Sequence, residues 1–127
     1  MLKTKKEIEK WLVKMWIDNY IINDDLTVDV DDAVYLVGDG LTEIPVQFGR
    51  IGGAFDCSVN QLTNLKGCPY FVGEGFYCKY NTLTSLEYYP EYVGEDFWSD
   101  IQDFTHEEYK QFVKLQKRKK FLNSIQY

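Results

Sequence analysis

The sequence predicts an α/β solenoid, with parallel strands in about three and a half short repeats capped by an N-terminal and a C-terminal helix. Three observations predict it. The stretch FDCSVNQLTNLKGCPYFVGEG (55–75) is followed at once by FYCKYNTLTSLEYYPEYVGED (76–96), nearly the same pattern written twice. A step of 21 residues upstream reaches VYLVGDGLTEIPVQFGRIGGA (34–54), and one downstream reaches FWSDIQDF (97–104), which keeps the Phe before the pattern degrades. Both flanks of this array carry a helix-start signature.

The register defines columns: Val34, Phe55, Phe76, Phe97; Leu36, Cys57, Cys78, Ser99; Asp39, Asn60, Asn81, Gln102; Leu41, Leu62, Leu83, Phe104; and Ile44, Leu65, Leu86. The form apolar-x-apolar-x-x-Asn-x-Leu-x-x-Leu at a period in the twenties is the leucine-rich-repeat signature. The alternating F-x-C reads as a short strand with its apolar face inward. The Asn amide is suited to bond backbone groups that the following turn would otherwise bury unpaired. Leu-x-x-Leu then returns the chain over the same core. One unit cannot bury its apolar face alone, whereas stacked neighbours bury a continuous one.

TKKE (4–7) and THEE (105–108) are capping-box sequences, Thr at N-cap and Glu at N3. Behind the first, Ile8, Trp11, Leu12, Met15 and Trp16 fall on one helical face. Behind the second come Tyr109, Phe112 and Val113, the basic KRKK (117–120), and Phe121, Leu122 and Ile125. Between the first helix and the repeats, Val28 and Val30 alternate against acids as a leading strand. The expected organisation is one domain over 1–127, with a capping helix over 1–22, leucine-rich repeats over 23–104 and a capping helix over 105–127.

A hydrophobic content of 45% with 27% charged residues is a globular balance, and this length buries roughly two thirds of the unfolded surface. No apolar run reaches the ~20 residues of a membrane span, and MLKTKKEIEK lacks the apolar core of a secretory signal. Three Cys without CxxC spacing suit a reduced, cytoplasmic protein. The net charge of −6 is unevenly spread. Residues 1–17 carry five Lys and two Glu, net +3; residues 105–127 carry five Lys and one Arg against two Glu, net +4. The middle, 18–104, holds sixteen acids against Arg50, Lys66 and Lys79, net −13, which disfavours direct nucleic-acid binding through that body.

The motif F-x-C-x-x-N-x-L-T-x-L-x-x-x-P-x-x-V-G, with KEIEKWL before it and EEYKQF…KRKKFLNSI after it, resembles a group of small phage-encoded leucine-rich-repeat proteins. The resemblance covers nearly the whole chain. It implies a leucine-rich-repeat fold in a protein made in the cytoplasm of an infected bacterium, and it supplies no catalytic residues. The chain departs from the group in its few repeats and in EYYPEY, where the group has a plainer turn. A more distant resemblance is to the repeat part of bacterial effector ubiquitin ligases, whose catalytic domain is missing from this sequence.

Sites of chemistry are sparse. The single His, His106, falls in the first turn of the second helix, where a solvated or capping role suits it. GRIGGAF lacks the Lys and the strand–helix setting of a phosphate loop. Asp24, Asp25 and DVDD lack the Gly turn and terminal Glu of a calcium loop and read as a solvated acidic edge. Cys57 and Cys78 share an inward column as core thiols, and Cys68, in the turn before Pro69, is the one expected to react. The expectation is a non-enzyme without cofactor or metal.

The residues between the inward columns belong to the concave strand face. In register they are Tyr35, Asp56, Tyr77 and Trp98; then Val37, Ser58, Lys79 and Asp100; then Gly38, Val59, Tyr80 and Ile101. An outward sheet face is ordinarily polar, but here aromatics crowd it within a charged rim, the composition of interface hot spots. The candidate partner-binding set is therefore Tyr35, Asp56, Val59, Tyr77, Lys79, Tyr80, Trp98, Asp100 and Ile101, unless a cap helix folds over it. Tyr88, Tyr89 and Tyr92 of EYYPEY form a second candidate surface, and KRKK a third.

These readings converge on a protein–protein interaction module. Together with the resemblance they point to a phage protein that binds a host protein, such as an antiviral defence component, and inhibits or redirects it. Two alternatives follow from charge: an acidic decoy that mimics nucleic acid, using the acids at 24–32, and self-association of basic ends with the acidic body into a homo-oligomer or structural assembly.

Overall fold

A computed structural model describes residues 1–125 of the chain. It is a parallel β-solenoid of about three turns with a helix at each end. The first helix, α1 (Lys5–Lys14), starts at Thr4, whose hydroxyl accepts the Glu7 N–H at 3.1 Å. The Glu7 carboxylate reaches back to the Lys3 N–H, one residue earlier than a capping box requires. Ile8 and Leu12 are buried, and Trp11 and Met15 pack at the edge of the core. The helix is shorter than the expected 1–22. Trp16 N–H donates to the Val13 carbonyl and Ile17 N–H to that of Leu12, the Schellman pattern, with Trp16 left-handed at φ 59°. That reversal removes Trp16 from the helical face on which its spacing placed it, and leaves it 91% exposed.

Tyr20–Ile22 is instead a strand, β1, antiparallel to β2 (Thr27–Val30). Val28 and Val30 point into the core, as their alternation predicts. The chain then winds through pairs of short strands: β3 (Val34–Tyr35), β4 (Gln47–Ile51), β5 (Phe55–Asp56), β6 (Phe71–Val72), β7 (Phe76–Cys78), β8 (Tyr92–Val93) and β9 (Phe97–Ser99). The F-x-C column builds the sheet β3-β5-β7-β9. A second sheet, β1-β2-β4-β6-β8, which the repeat pattern alone did not reveal, is built from the segment that ends in Val-Gly. Both propagate in the 21-residue register: Phe55 pairs with Phe76 and Phe76 with Phe97, while Ile51 pairs with Val72 and Val72 with Val93.

Glycine follows the second strand of each turn for a steric reason. A methyl group on Gly73 would overlap the carbonyl oxygen of Gly52, and one on Gly94 the carbonyl oxygen of Gly73. Adjacent turns touch backbone to backbone there, and only hydrogen fits.

Between the sheets a file of aromatic rings runs from cap to cap. Trp11 of α1 lies 6.2 Å from Phe48, and Phe48 meets Phe55 edge-on at 5.2 Å. Phe55, Phe76 and Phe97 then stack at 5.6 and 5.0 Å, and Tyr109 continues the stack at 4.7 Å. Tyr109 belongs to the last helix, α2 (His106–Ser124), which begins with a complete capping box between Thr105 and Glu108. Its hydroxyl donates to the Pro90 carbonyl. Tyr109 and Val113 are buried, whereas Phe121, Leu122 and Ile125 are exposed, so only the first half of α2 acts as a cap. The last two residues of the expected 105–127 helix lie outside the described residues.

The corners of the solenoid are closed by asparagine. The Asn60 amide donates to the carbonyls of Leu36, Cys57 and Ser58, and its oxygen accepts the Leu41 N–H. Asn81 repeats the pattern one turn on, with Cys57, Cys78, Lys79 and the Leu62 N–H. The last turn has Gln102 in this column, and Ser99 closes the corner instead: its hydroxyl donates to the Gln102 carbonyl and accepts from Ile101 and Gln102.

All three cysteines are buried and unpaired. This corrects the expectation for Cys68, which lies under the turn that Gly67 makes at φ 91°; burial pushes its thiol, and that of Cys78, well above the ordinary range. Among the described residues no helix is long and apolar enough to cross a membrane.

Asn60→Ala is expected to destabilise the fold by about 2–3 kcal/mol in urea unfolding, because buried backbone groups lose their partner. The half-buried Asn81 should cost less, and an equal or smaller effect at Asn60 would contradict this account of the corners. A thiol reagent should modify none of the three cysteines until the chain unfolds; rapid labelling of Cys68 in the native protein would show the burial to be wrong.

Candidate interaction surface

The outer face of the β3-β5-β7-β9 sheet is open. Its first outward column follows the strand register, Tyr35 to Asp56, Asp56 to Tyr77, and Tyr77 to Trp98. Tyr80 is 72% and Trp98 44% exposed, with Val59 and Ile101 close to half. The helices cover the ends of the core and leave this face free, as the candidate set requires.

A groove of about 580 Å³ runs along the face, and six of the nine candidate residues line it: Asp56, Val59, Tyr77, Lys79, Tyr80 and Trp98. Tyr77 and Trp98 form its floor, rings tilted at 58° with centroids 4.9 Å apart. The Tyr77 ring folds back over Gly75, where a side chain would collide with the phenol. Its partial burial first, then the carboxylates of Glu95, Asp96, Asp56 and Glu74, push the phenol above its ordinary value. Lys79 bonds Asp103 at 2.9 Å, which raises its pKa and fixes its charge beside the groove.

The other three candidates fall elsewhere. Asp100 accepts the Asn81 N–H at 2.8 Å and is part of the corner. Ile101 is exposed beyond the groove, and Tyr35 lines a separate groove at the N-terminal end of the sheet. Asp103, which the register did not single out, does line the groove because the last turn departs from the repeat.

Val59 and Tyr80 hold left-handed backbone at φ 57° and 58°, in the column where the first turn has Gly38 at φ 69°. The corner takes this conformation in all three turns, and in the second and third the Asn amide that follows bonds the carbonyls two and three residues before it. A β-branched or bulky residue there carries strain of about 1–3 kcal/mol that glycine avoids. Both side chains project into solvent. Folding gains little from them, so their presence points to use of the surface.

The EYYPEY tyrosines do not form one surface. Tyr89 packs edge-on against Phe112 of α2 at 5.3 Å, with Lys120 over its ring. Tyr92 stacks on Phe71 at 4.8 Å on the outside of the second sheet, where Arg50 covers the other side of Phe71 at 3.9 Å. Tyr88 is exposed and lines grooves beside α2 together with Tyr89, apart from Tyr92. This Arg50–Phe71–Tyr92 ladder is in 21-residue register and could have been read from the sequence had the second strand been recognised.

The acids at 24–32 are woven into the fold. Asp24 pairs with Lys5 at 2.8 Å, Asp25 accepts from the Thr27 N–H and hydroxyl, and Asp29 accepts from the Arg50 N–H and from Asn23. The Lys5 bond and the Thr27 bonds hold the Asp24 and Asp25 carboxyls below their usual range. His106 sits 2.9 Å from the Val93 carbonyl through Nδ1, which donates there and ties α2 to β8. Among the described residues no three His, Cys, Asp or Glu side chains converge where they could hold a metal ion. Compared with protein-family models, with curated proteins and with solved structures, the chain matches none.

Val59→Gly is expected to leave stability unchanged or to raise it by up to about 1 kcal/mol, since relief of left-handed strain outweighs the added freedom of the unfolded chain. A thermal melt showing a loss of more than that would mean that Val59 packs in the fold and is not a surface residue.

Proposed function

We propose that this chain is a short leucine-rich-repeat protein of phage origin that works as a non-catalytic protein-interaction module, binding a host protein and blocking or redirecting it by steric occupation. The observation that carries this reading is the open aromatic groove, with Tyr80 and Trp98 exposed around Tyr77 and a rim of Asp56 and Asp103. Tyr and Trp supply contact area at low cost in conformational entropy, and such residues dominate binding energy. Lys79 and Asp103 of the groove's lining pair with each other, which leaves Asp56 as the uncompensated charge. The groove therefore suits a basic patch, with acids steering encounter and the ring faces accepting Arg or Lys. The phage and host assignments rest on the resemblance of the repeats and flanking helices; antiviral defence proteins are one class of target that fits.

The acidic-decoy reading rests on carboxylates that stay largely exposed while Lys5, Thr27 and the Arg50 N–H hold three of them in place. Salt-sensitive binding that depends on the acids at 24–32 more than on Tyr77 or Trp98 would favour it. Self-association keeps a specific support: the second half of α2 projects Lys117, Arg118, Lys119 and Lys120 from an acidic body. Sedimentation that stays monomeric across micromolar concentrations would remove it.

The deciding experiment is affinity capture from bacterial host lysate, with wild type beside a Tyr80→Ala, Trp98→Ala variant of unchanged melting temperature. A host protein retained by wild type should be lost by the variant, with affinity reduced about a hundredfold or more for two central aromatic anchors. Equal retention by both would move the site off the groove.

A further inference from the structure

We infer that the free edge of β3 is a second docking site, which accepts an extended, basic segment of a partner protein as an added parallel or antiparallel strand. The proposal does not depend on whether the groove around Trp98 binds anything.

In the sheet β3-β5-β7-β9, β3 pairs only with β5. The N–H groups of Val34, Leu36 and Gly38 all donate toward the next turn, to Ala54, Asp56 and Ser58. In a parallel ladder alternate residues face alternate sides, so the N–H and C=O of Tyr35 and the N–H of Val37 point away from β5. No strand of the described residues lies there. The other edge of this sheet is treated differently. At the far edge of the same sheet, Phe97 and Phe104 exchange two backbone bonds, at 2.9 and 2.7 Å, which closes β9. In the second sheet β1 covers β2 and is itself the edge strand, running antiparallel to it.

An edge left open in a soluble domain is ordinarily blunted by Lys, Pro or a bulge. VYLVG (34–38) has none of these, and β3 is blunted only by its length of two residues. Tyr35 is 65% exposed, Val37 is exposed, and Trp16 lines the same groove as Tyr35. A groove of about 310 Å³ is lined by Met15, Trp16, Asp18, Asp32, Ala33 and Tyr35. Trp16 is an independent sign of use. It occupies the position of the Schellman motif at which glycine is favoured, in left-handed backbone, with its indole in solvent. A tryptophan there strains the backbone and buries almost nothing.

These features define the occupant. A strand added at β3 bonds Tyr35 and Val37 through its backbone, and alternate side chains enter the groove against Trp16 and Tyr35, the strand-addition mode of peptide recognition. The groove has two carboxylates, Asp18 and Asp32, and neither Lys nor Arg lines it. That favours a segment with apolar residues alternating with Lys or Arg. It disfavours a second copy of this chain, because edge-to-edge pairing would bring these carboxylates together.

The test is amide hydrogen exchange and chemical shift by NMR, using the peptide acetyl-Lys-Val-Lys-Val-Lys-Val-amide as probe. In the free protein the Tyr35 and Val37 amides should exchange rapidly; slow exchange at both would mean that the edge is already covered and would overturn the proposal. Peptide at millimolar concentration should shift both resonances and slow their exchange. The same peptide N-methylated at alternate residues, or with Glu for Lys, should not. Trp16→Gly should weaken binding by at least about tenfold while the melting temperature holds or rises. Absence of shifts at Tyr35 and Val37, equal binding of the N-methylated peptide, or shifts confined to Tyr80 and Trp98 would each overturn it, as would protection that grows with protein concentration alone.

Discussion

Everything in this fold depends on how its corners satisfy their own backbone. A turn of 21 residues includes two strands of two to five residues, so ladder hydrogen bonds serve a minority of the chain. The corners still pass over a dry core, and an unpaired carbonyl or N–H there costs about as much as a strong hydrogen bond contributes. Asn60 and Asn81 answer this with four bonds each, to their own turn and to the one before. Because one amide reaches across two turns, it fixes the offset between them. A slip of one residue would unpair it and would turn Phe55 and Phe76 outward. The ring stack, the glycine contacts and the strand register all follow from that offset.

The same corners explain the strained surface. The corner needs left-handed backbone in three successive turns, with or without the Asn amide, and the first turn meets the demand with Gly38 beside Asp39. Val59 and Tyr80 meet it at a cost, and their side chains lie along the groove that Tyr77 and Trp98 floor. A fold whose core is secured by stacked rings and bonded amides tolerates a few kcal/mol of local strain on its exterior. Marginal stability limits how many such positions a domain of this size can carry.

Wherever one residue type performs one physical task per turn, the sequence discloses the structure. The Phe, Cys, Asn and Leu columns are of this kind, and so is the outward row from Asp56 to Trp98, because alternation in the strand carries it. The second sheet was hidden for the opposite reason. Its strands at Phe71–Val72 and Tyr92–Val93 are too short to show alternation, and their defining residue, glycine, reads as a turn unless the backbone of the neighbouring turn is known to touch it. Trp16 misled because helical spacing continues past the point where the chain reverses, and no residue at 15–17 announces the stop. Cys68 misled because Cys-Pro after Gly suggests an exposed turn, whereas this turn packs against Ile44–Phe48 of the preceding repeat and buries the thiol. Asp103 and Ser99 lie where the repeat decays, so no column assigned them.

The two ends of a solenoid pose two separate problems, and a helix solves only one. An end exposes apolar side chains, and it exposes strand backbone. Trp11, Ile8 and Leu12 of α1 cover the side chains at the first turn, as Tyr109 and Val113 of α2 do at the last. Backbone requires backbone: β1 supplies it for one sheet at the N-terminal end, and the chain doubling back at Phe104 supplies it for the other sheet at the C-terminal end. β3 is an edge of another kind, where the core is sealed but the N–H groups of Tyr35 and Val37 point away from β5. Solvent can satisfy such exposed groups, so an open edge costs little in stability. A partner strand would supply aligned bonds and gain the apolar area of Trp16, Tyr35 and Val37 as well, so this edge is one at which a second chain has much to offer.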